Sequence, residues 1–237
     1  MTKTALASAK VLRSDGTEAR NRLLDAALPL FAERGFAKTS TREIAQAAQV
    51  NIASISYYFG DKHGLYRAVF MDERLNPTID PRSFDSAAMG LEDSLRVLLC
   101  GFMEPLKQGE LLQHCMKLHF REMLEPTGLW QEEVNGNIKP AHAALVALLC
   151  RQFGLTRADD DAHRLAFSIT GLGVMLQIGH DVVADIRPKL IASHAALDLY
   201  CNRLVSYAIA MVEAEARRRA STSTAAAAAP TQRKKTT

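Results

Sequence analysis

The chain has 237 residues, of which 48% are hydrophobic, 23% charged and only 6% aromatic. That composition fits a soluble globular protein of one or two domains, and abundant Ala and Leu beside scarce Gly and Pro favour helices over strands. The net charge of +3 conceals an asymmetry: +4 over residues 1–70, −7 over 71–216 and +6 over 217–237. A basic front on an acidic body suits a front that meets a polyanion and a body with another task.

Several classes fall away. No apolar run reaches the ~18 residues a bilayer span needs. The best stretch, Phe167 to Ile178, is interrupted by Ser168, Thr170, Gly171, Gly173 and Gln177. The first fifteen residues carry Lys3, Lys10, Arg13 and Asp15 without an apolar core, unlike a secretory signal. Cys100, Cys115, Cys150 and Cys201 lie far apart with no Cys-x-x-Cys. They read as buried thiols of a reducing compartment, with the cytoplasm as the expected location.

In chain order, residues 1–16 read as a loose basic arm. Thr17 is placed to cap a first helix running to about Arg34, with Leu23, Ala27, Leu30 and Phe31 on one face and Gly35 as its end. Pro29 removes one helical hydrogen bond and predicts a kink. Thr39-Ser40-Thr41 offers capping hydroxyls for a second helix through Ala48, with Ile44, Ala45 and Ala48 inward. After a break at Gln49-Val50, Asn51 caps a third helix in which Ile55 and Phe59 point inward. Asp61 caps a fourth, from Lys62 to about Leu75, with Leu65, Ala68 and Val69 inside. Asn76 to Ser83, with Pro77 and Pro81, is the best domain boundary. Helical segments then follow near 86–104, 108–124, 131–153, 159–183 and 193–219. Residues 220–237 are low-complexity and basic, and predict a disordered tail. The fold expected is all-α: a helix-turn-helix domain over 17–75 and a helical domain over 84–219.

Residues 41–59 have the layout of a helix-turn-helix, two short helices joined by a tight turn. A helix entering the major groove, about 12 Å wide, needs a slim polar outer face. Ala53, Ser54 and Ser56 let the backbone approach, and Tyr57 and Tyr58 can span to a strand through their hydroxyls, although one of the two rings can also face the interior. Lys62 opens the next helix, where a cation and free N–H groups can meet a phosphate.

Residues 18–70 resemble the DNA-binding domain of TetR/AcrR-type transcriptional regulators. The elements that carry the resemblance are "LLDAALPLFAERGF", "TSTREIAQAAQV" and "NIASISYYFGDKHGLYRAVF". In the remainder, "REMLEPT" and the segment after it are similar to the CecR-like branch. The resemblance implies DNA contacts at Ser40, Thr41 and Arg42, then at Asn51, Ile52, Ala53, Ser54, Ser56, Tyr57 and Tyr58, with Lys62 following. Arg42 is the candidate for a bidentate guanine contact, and Ile52 for a thymine methyl or sugar. Gln49 stands where the family usually has a turn glycine, which predicts a residue with positive φ and a modest strain. Ser56 and Tyr58 replace what are often Tyr and His, which leaves the operator sequence open.

The same resemblance implies a homodimer on a double-stranded, palindromic operator, acting as a repressor that a small-molecule effector releases. The last two long helices would form the dimer interface. Leu165, Ile169, Leu172 and Leu176, with Leu197, Leu204, Ala208 and Met211, are the stripes that fit it, though both equally fit an intrachain core. The effector pocket would sit among the central helices, with Met103, His114, Leu118, His119, Trp130, Met175 and Gln177 as candidates that core packing also explains. No cofactor or metal site is expected: His114, Cys115, His119 and Glu122 lack ligand spacing and read better as packed or pocket-lining side chains. "GLGVMLQIG" at 171–179 reads as small residues letting helices approach rather than a dinucleotide loop. Arg217-Arg218-Arg219 and Arg233-Lys234-Lys235 read as solvated tail, with nonspecific DNA affinity as the rival. A regulator without a ligand is the nearest alternative function. A helical enzyme is a remoter one, since no nucleophile elbow or phosphate loop frames the Ser, His and Asp residues.

Overall fold

The computed structural model describes residues 3–72, 74, 79–85 and 88–228, with side chains over residues 16–222 of these. Among the described residues there is no strand. The α-helices are α1 (Lys3–Lys38), α2 (Thr41–Ala47), α3 (Ala53–Phe59), α4 (Lys62–Phe70), α5 (Leu91–Lys107), α6 (Glu110–Leu124), α7 (Trp130–Glu133), α8 (Lys139–Phe153), α9 (Asp160–Ile178), α10 (His180–Ile186) and α11 (His194–Ala228). A π-helical turn, Val134–Ile138, joins α7 to α8, and short 3-10 turns occur at Pro81–Ser83 and Pro188–Leu190.

Several boundaries differ from the sequence expectation, including α4, which ends at Phe70 rather than about Leu75, and α5, which begins at Leu91 rather than near 86. Helix α1 begins at Lys3, not Thr17, because the Ala- and Leu-containing segment before Thr17 has good helix propensity and no proline. It stays helical through Pro29 and breaks instead at Gly35, whose φ of 78° lies in the left-handed region. The hydrogen bond Pro29 forgoes would have gone to the carbonyl of exposed Asp25, which water can satisfy. The expected helix over 159–183 is two helices, α9 and α10, bent by 70° at Gly179. Helix α11 continues to Ala228 through the alanine-rich stretch expected to be disordered; residues 229–237 lie outside the described residues, as do residues 76–78 of the expected linker.

The chain forms two compact units, residues 1–79 with 104–139, and residues 80–103 with 140–237. The sequence reading grouped 104–139 with the second unit; in space this segment packs on the helix-turn-helix. The apolar face of α1, including Leu23, Leu24, Ala27, Leu28 and Phe31, forms one core with Ile44, Ile55, Leu65, Val69 and Phe70 and with Cys115 and Leu118 of α6. The end of α1 shows why α6 belongs here. Carbonyls near a helix end lack intrahelical partners, and Arg121 of α6 donates to the carbonyls of Ala32 and Glu33, each at 3.2 Å. Lys117 adds an ion pair to Glu33 at 2.8 Å.

A carboxylate holds α6 to α4. Glu122 is fully buried yet has all its company: the Tyr66 hydroxyl donates at 2.9 Å, the Thr127 N–H at 2.8 Å and the Leu129 N–H at 3.1 Å, and the Thr127 hydroxyl lies within 3.1 Å of both oxygens. Burial and this carboxylate push the Tyr66 phenol above its ordinary range, so it remains a donor.

In the second unit, α9 packs on α11. Buried Leu165, Ile169 and Leu176 of α9 and Leu197, Leu204 and Ala208 of α11 belong to its core. Gly173 is needed there, because a Cβ at that position would meet the Phe102 ring at 2.5 Å. This agrees with reading "GLGVMLQIG" as a close helix approach. The far end of α11 is fastened to the start of α9: Asp159 accepts from Arg219 at 2.7 Å and Asp161 from Arg218 at 2.6 Å. Arg218 and Arg219 are therefore committed to ion pairs, not a solvated basic tail.

Candidate nucleic-acid interface

The α2–α3 pair is set by local chemistry. Ser40 is the N-cap of α2 in a reciprocal capping box: its hydroxyl accepts from the Glu43 N–H at 3.1 Å while Glu43 accepts from the Ser40 N–H at 3.0 Å. Those bonds, with Arg34 at 2.8 Å, hold the Glu43 carboxyl below its ordinary range. Thr39 is buried and its hydroxyl donates to the carbonyls of Leu30 and Gly35 at 3.0 and 2.8 Å, closing the corner from α1.

The turn into α3 runs through Gln49, which adopts the expected positive φ, at 55°. A chain of backbone bonds compensates that strain: Gln49 N–H to Gln46 and Val50 N–H to Ala45, at 3.1 and 3.0 Å. Asn51 then accepts the Ala53 N–H at 2.9 Å, but the N-cap of α3 is Ile52, one residue after the expected Asn51, and it makes no side-chain cap bond. At the other end Asp61 caps α4 by accepting from Gly64 N–H at 2.8 Å. Gly64 is obligatory, because a Cβ there would lie 1.9 Å from the Phe59 carbonyl oxygen. The small residue sets how closely α4 follows the recognition helix.

The outward face can now be read residue by residue. Ser40, Arg42, Asn51, Ile52, Ala53, Ser56 and Tyr57 are exposed; Thr41, Ser54, Tyr58 and Lys62 are half-buried. Arg42 forms no ion pair among the described residues, which leaves its guanidinium to a ligand. Tyr57 is 81% exposed, whereas Tyr58 packs against the core and meets the Tyr57 ring edge-on at 4.8 Å. Lys62 is less free than expected: its ammonium lies 4.5 Å from the Phe36 ring and 3.4 Å from the Ala37 carbonyl. Arg20 of α1 was not among the sequence candidates. Its guanidinium stands 5.4 Å from the Phe59 ring at the end of α3 and adds a cation beside this surface.

The expectations for the second function fare differently. Leu165, Ile169, Leu176, Leu197, Leu204 and Ala208, taken as an interface stripe, are all buried within a single chain, and Leu172 and Met211 are half-buried. The buried six belong to the unit's own core, which is the reading the sequence left open beside the interface. The exposed apolar residues lie on other faces of the same helices: Phe167, Met175 and Ile178 on α9, Val182 and Ile186 on α10, Leu199 and Tyr207 on α11. Helices α9 and α11 each spend one apolar stripe on the core and keep a second outside, whereas α10 buries no residue.

The pocket candidates do not line the open cavity described in the second unit. That cavity, about 390 Å³, is lined by Lys189, Leu190, Ala196, Leu199, Tyr200, Arg203 and Tyr207. Met103 is buried core, Met175 is exposed, and Gln177 donates to the Phe102 carbonyl at 2.9 Å. In the first unit Leu118 is core, Trp130 is half-buried, and His114 is half-buried 3.7 Å from Glu33. His119 is buried, stacked on Phe70 at 4.3 Å, with Nδ1 donating to the Cys115 carbonyl at 2.9 Å and Nε2 without a partner. The four cysteines are not all thiols, because Cys100 and Cys201 form a disulfide.

Two family models match the chain. Residues 23–69 match the bacterial regulatory proteins of the tetR family, and residues 91–214 match the C-terminal domain of the HTH-type transcriptional dual regulator CecR. The CecR regulator of Shigella flexneri is 30% identical over 181 residues, covering 71% of this chain and 79% of the relative. The chain belongs to the TetR family of transcriptional regulators. Within this family, the regulator BetI of Burkholderia cenocepacia is 27% identical over 191 residues, covering 76% of this chain and 92% of the relative. Among solved structures, the hemolysin II regulator HlyIIR aligns at TM-score 0.53 and 22% identity, covering 81% and 97% of the two chains. The SmeT–triclosan complex aligns at 0.55 and 21%, covering 78% and 90%. Both carry the TetR fold. As a TetR-family regulator this protein binds DNA, and α2 and α3 are the helix-turn-helix of that family.

Proposed function

We propose that the protein acts in the cytoplasm as a homodimeric repressor on a two-fold symmetric DNA site, and that a small molecule bound within its helical C-terminal part releases it. The observation that carries the reading is the pairing of two surfaces: a slim polar face on α3 and an unpartnered apolar face on α9, α10 and α11. The first suits a major groove and the second a second copy of the chain. Residues 40–42, 51–54 and 56–58 are the contacts expected, with Arg42 on a guanine, Ile52 on a thymine methyl or sugar, and Tyr57 and Ser56 on the strand; Lys62 and Arg20 supply positive charge at the flank. Two such faces about 34–36 Å apart would read successive turns of one duplex side. Release follows if a ligand binds better to a dimer whose two α3 helices miss that spacing.

The description of the Shigella relative as a dual regulator favours a second reading, regulation in both directions from the same contacts. The test is selection of bound sequences from random duplexes by the purified protein, followed by transcription from a promoter carrying the selected site. Two inverted half-sites and lowered transcription are expected. A single unpaired site would overturn the dimer, and raised transcription at every placement of the site would overturn repression.

A further inference from the structure

Two described side-chain links join α5 to α11 inside the second unit. Arg96 donates to the side chain of Asn202, and next to it Cys100 and Cys201 form a disulfide with their Cα atoms 5.5 Å apart. The bond closes a separation of 101 residues. Cys201 is 2% exposed and Cys100 half-buried, so Cys100 is the less enclosed of the two residues. Arg96 lies one helical turn before Cys100 on α5, with its guanidinium shared between the Glu92 carboxylate at 2.8 Å and Asn202. Cys115 is a contrast: burial pushes its thiol up to about 12, which leaves it protonated and inert.

A protein that reads DNA in the cytoplasm, as proposed above and on which this inference rests, works among thiol pools that keep most cysteines reduced. Disulfides in that setting are transient and redox-sensing. We propose that Cys100 and Cys201 are a reversible oxidation site for hydroperoxides, and that the state of the bond changes operator affinity. The Cys100 thiolate attacks a peroxide oxygen; the S–O bond forms as the O–O bond breaks, and an alcohol or water leaves with the proton. Cys201 then attacks the sulfenic sulfur; the S–S bond forms, the S–O bond breaks, and the oxygen departs as water with the Cys201 proton. The two sulfurs give up two electrons, which the peroxide gains. A small thiol of the glutathione class reverses the step by two exchanges and leaves as its own disulfide. The bond matters to DNA binding because α5 runs on, four residues after Cys100, into the segment 104–139, whose α6 packs on α1 and α4.

The full-length protein is equilibrated in glutathione buffers from oxidising to strongly reducing, its free thiols are alkylated, and each cysteine is scored by mass spectrometry. The Cys100–Cys201 bond should open within that range and re-form on addition of cumene hydroperoxide. Cys201→Ser should accumulate a dimedone-reactive Cys100, while Cys100→Ser should give none at Cys201. Operator affinity should differ at least about fivefold between the two states of the natural chain and not at all in the Cys100→Ser, Cys201→Ser double variant. A bond that survives every reducing buffer is a fixed staple, and equal affinities in both states remove the switch; either result overturns the proposal. The double variant's own operator binding separates that failure from a failure of the DNA-binding reading.

Discussion

The polar face of α3 and the apolar outer faces of α9 to α11 are both exposed, yet they are built by opposite rules. On α3 one large side chain, Tyr57, stands out at 81% exposure beside Ala53, Ser54 and Ser56, and Asn51 just before the helix accepts the Ala53 N–H. On α9 and α10 the outer face carries Phe167, stacked on His142 at 4.2 Å, with Met175, Ile178, Val182 and Ile186, and Ile186 is 75% exposed. Water tolerates the first surface and penalises the second by about 25 cal/mol per Å² of apolar area. The difference teaches that one exposed face is polar and suited to water, whereas the other leaves apolar area in water that the proposed dimer would cover.

The largest expected effect breaks the second surface. Ile178→Glu with Ile186→Glu should turn a dimer into a monomer in light-scattering chromatography and lower operator affinity by about two orders of magnitude or more, because half-sites are then read singly. A dimer that persists places the contact elsewhere. Next comes the lock beneath the first surface: Glu122→Gln turns an amide donor toward the donors of Tyr66, Thr127 and Leu129. A loss of about 2–4 kcal/mol in denaturant unfolding is expected; a change below about 0.5 kcal/mol would mean the network is solvated.

Smaller effects sharpen the comparison. Arg42→Ala should cost about 1–3 kcal/mol at one base pair and relax the preference there; a uniform loss across sequences reassigns Arg42 to a phosphate. The last is a pH effect. Burial holds the His119 imidazole below its ordinary range, partly offset by its bond to the Cys115 carbonyl and by Glu133 and Glu122. Since the unfolded chain takes up that proton near pH ~6.5, stability is full above that value and falls as pH drops through it towards the folded value. Thermal melts from pH 7.5 to 5.5 should show the decline in the natural chain and a flatter profile in His119→Gln.

The first surface was legible in the sequence and the second was not, for a physical reason. Asn51, Asp61, Ser40 with Glu43, and the strained Gln49 act within a few residues, so spacing alone finds them. Tyr66 and Glu122 meet across 56 residues and Cys100 and Cys201 across 101, and no local pattern announces either pair. On α9 the sequence shows apolar residues around most of the helix; periodicity says that two faces are buried in something without saying which is core. Leu165-Ile169-Leu176 and Phe167-Met175-Ile178 therefore looked alike until the fold separated them.

A photo-reactive benzoylphenylalanine placed at position 57, and separately at position 199, tests the assignment of the two surfaces in one experiment on the selected duplex. The account expects position 57 to yield protein–DNA adducts at two sites about one helical turn apart, and position 199 to yield covalent protein dimers without DNA. Adducts to DNA from position 199, or protein dimers and no DNA adduct from position 57, would contradict it.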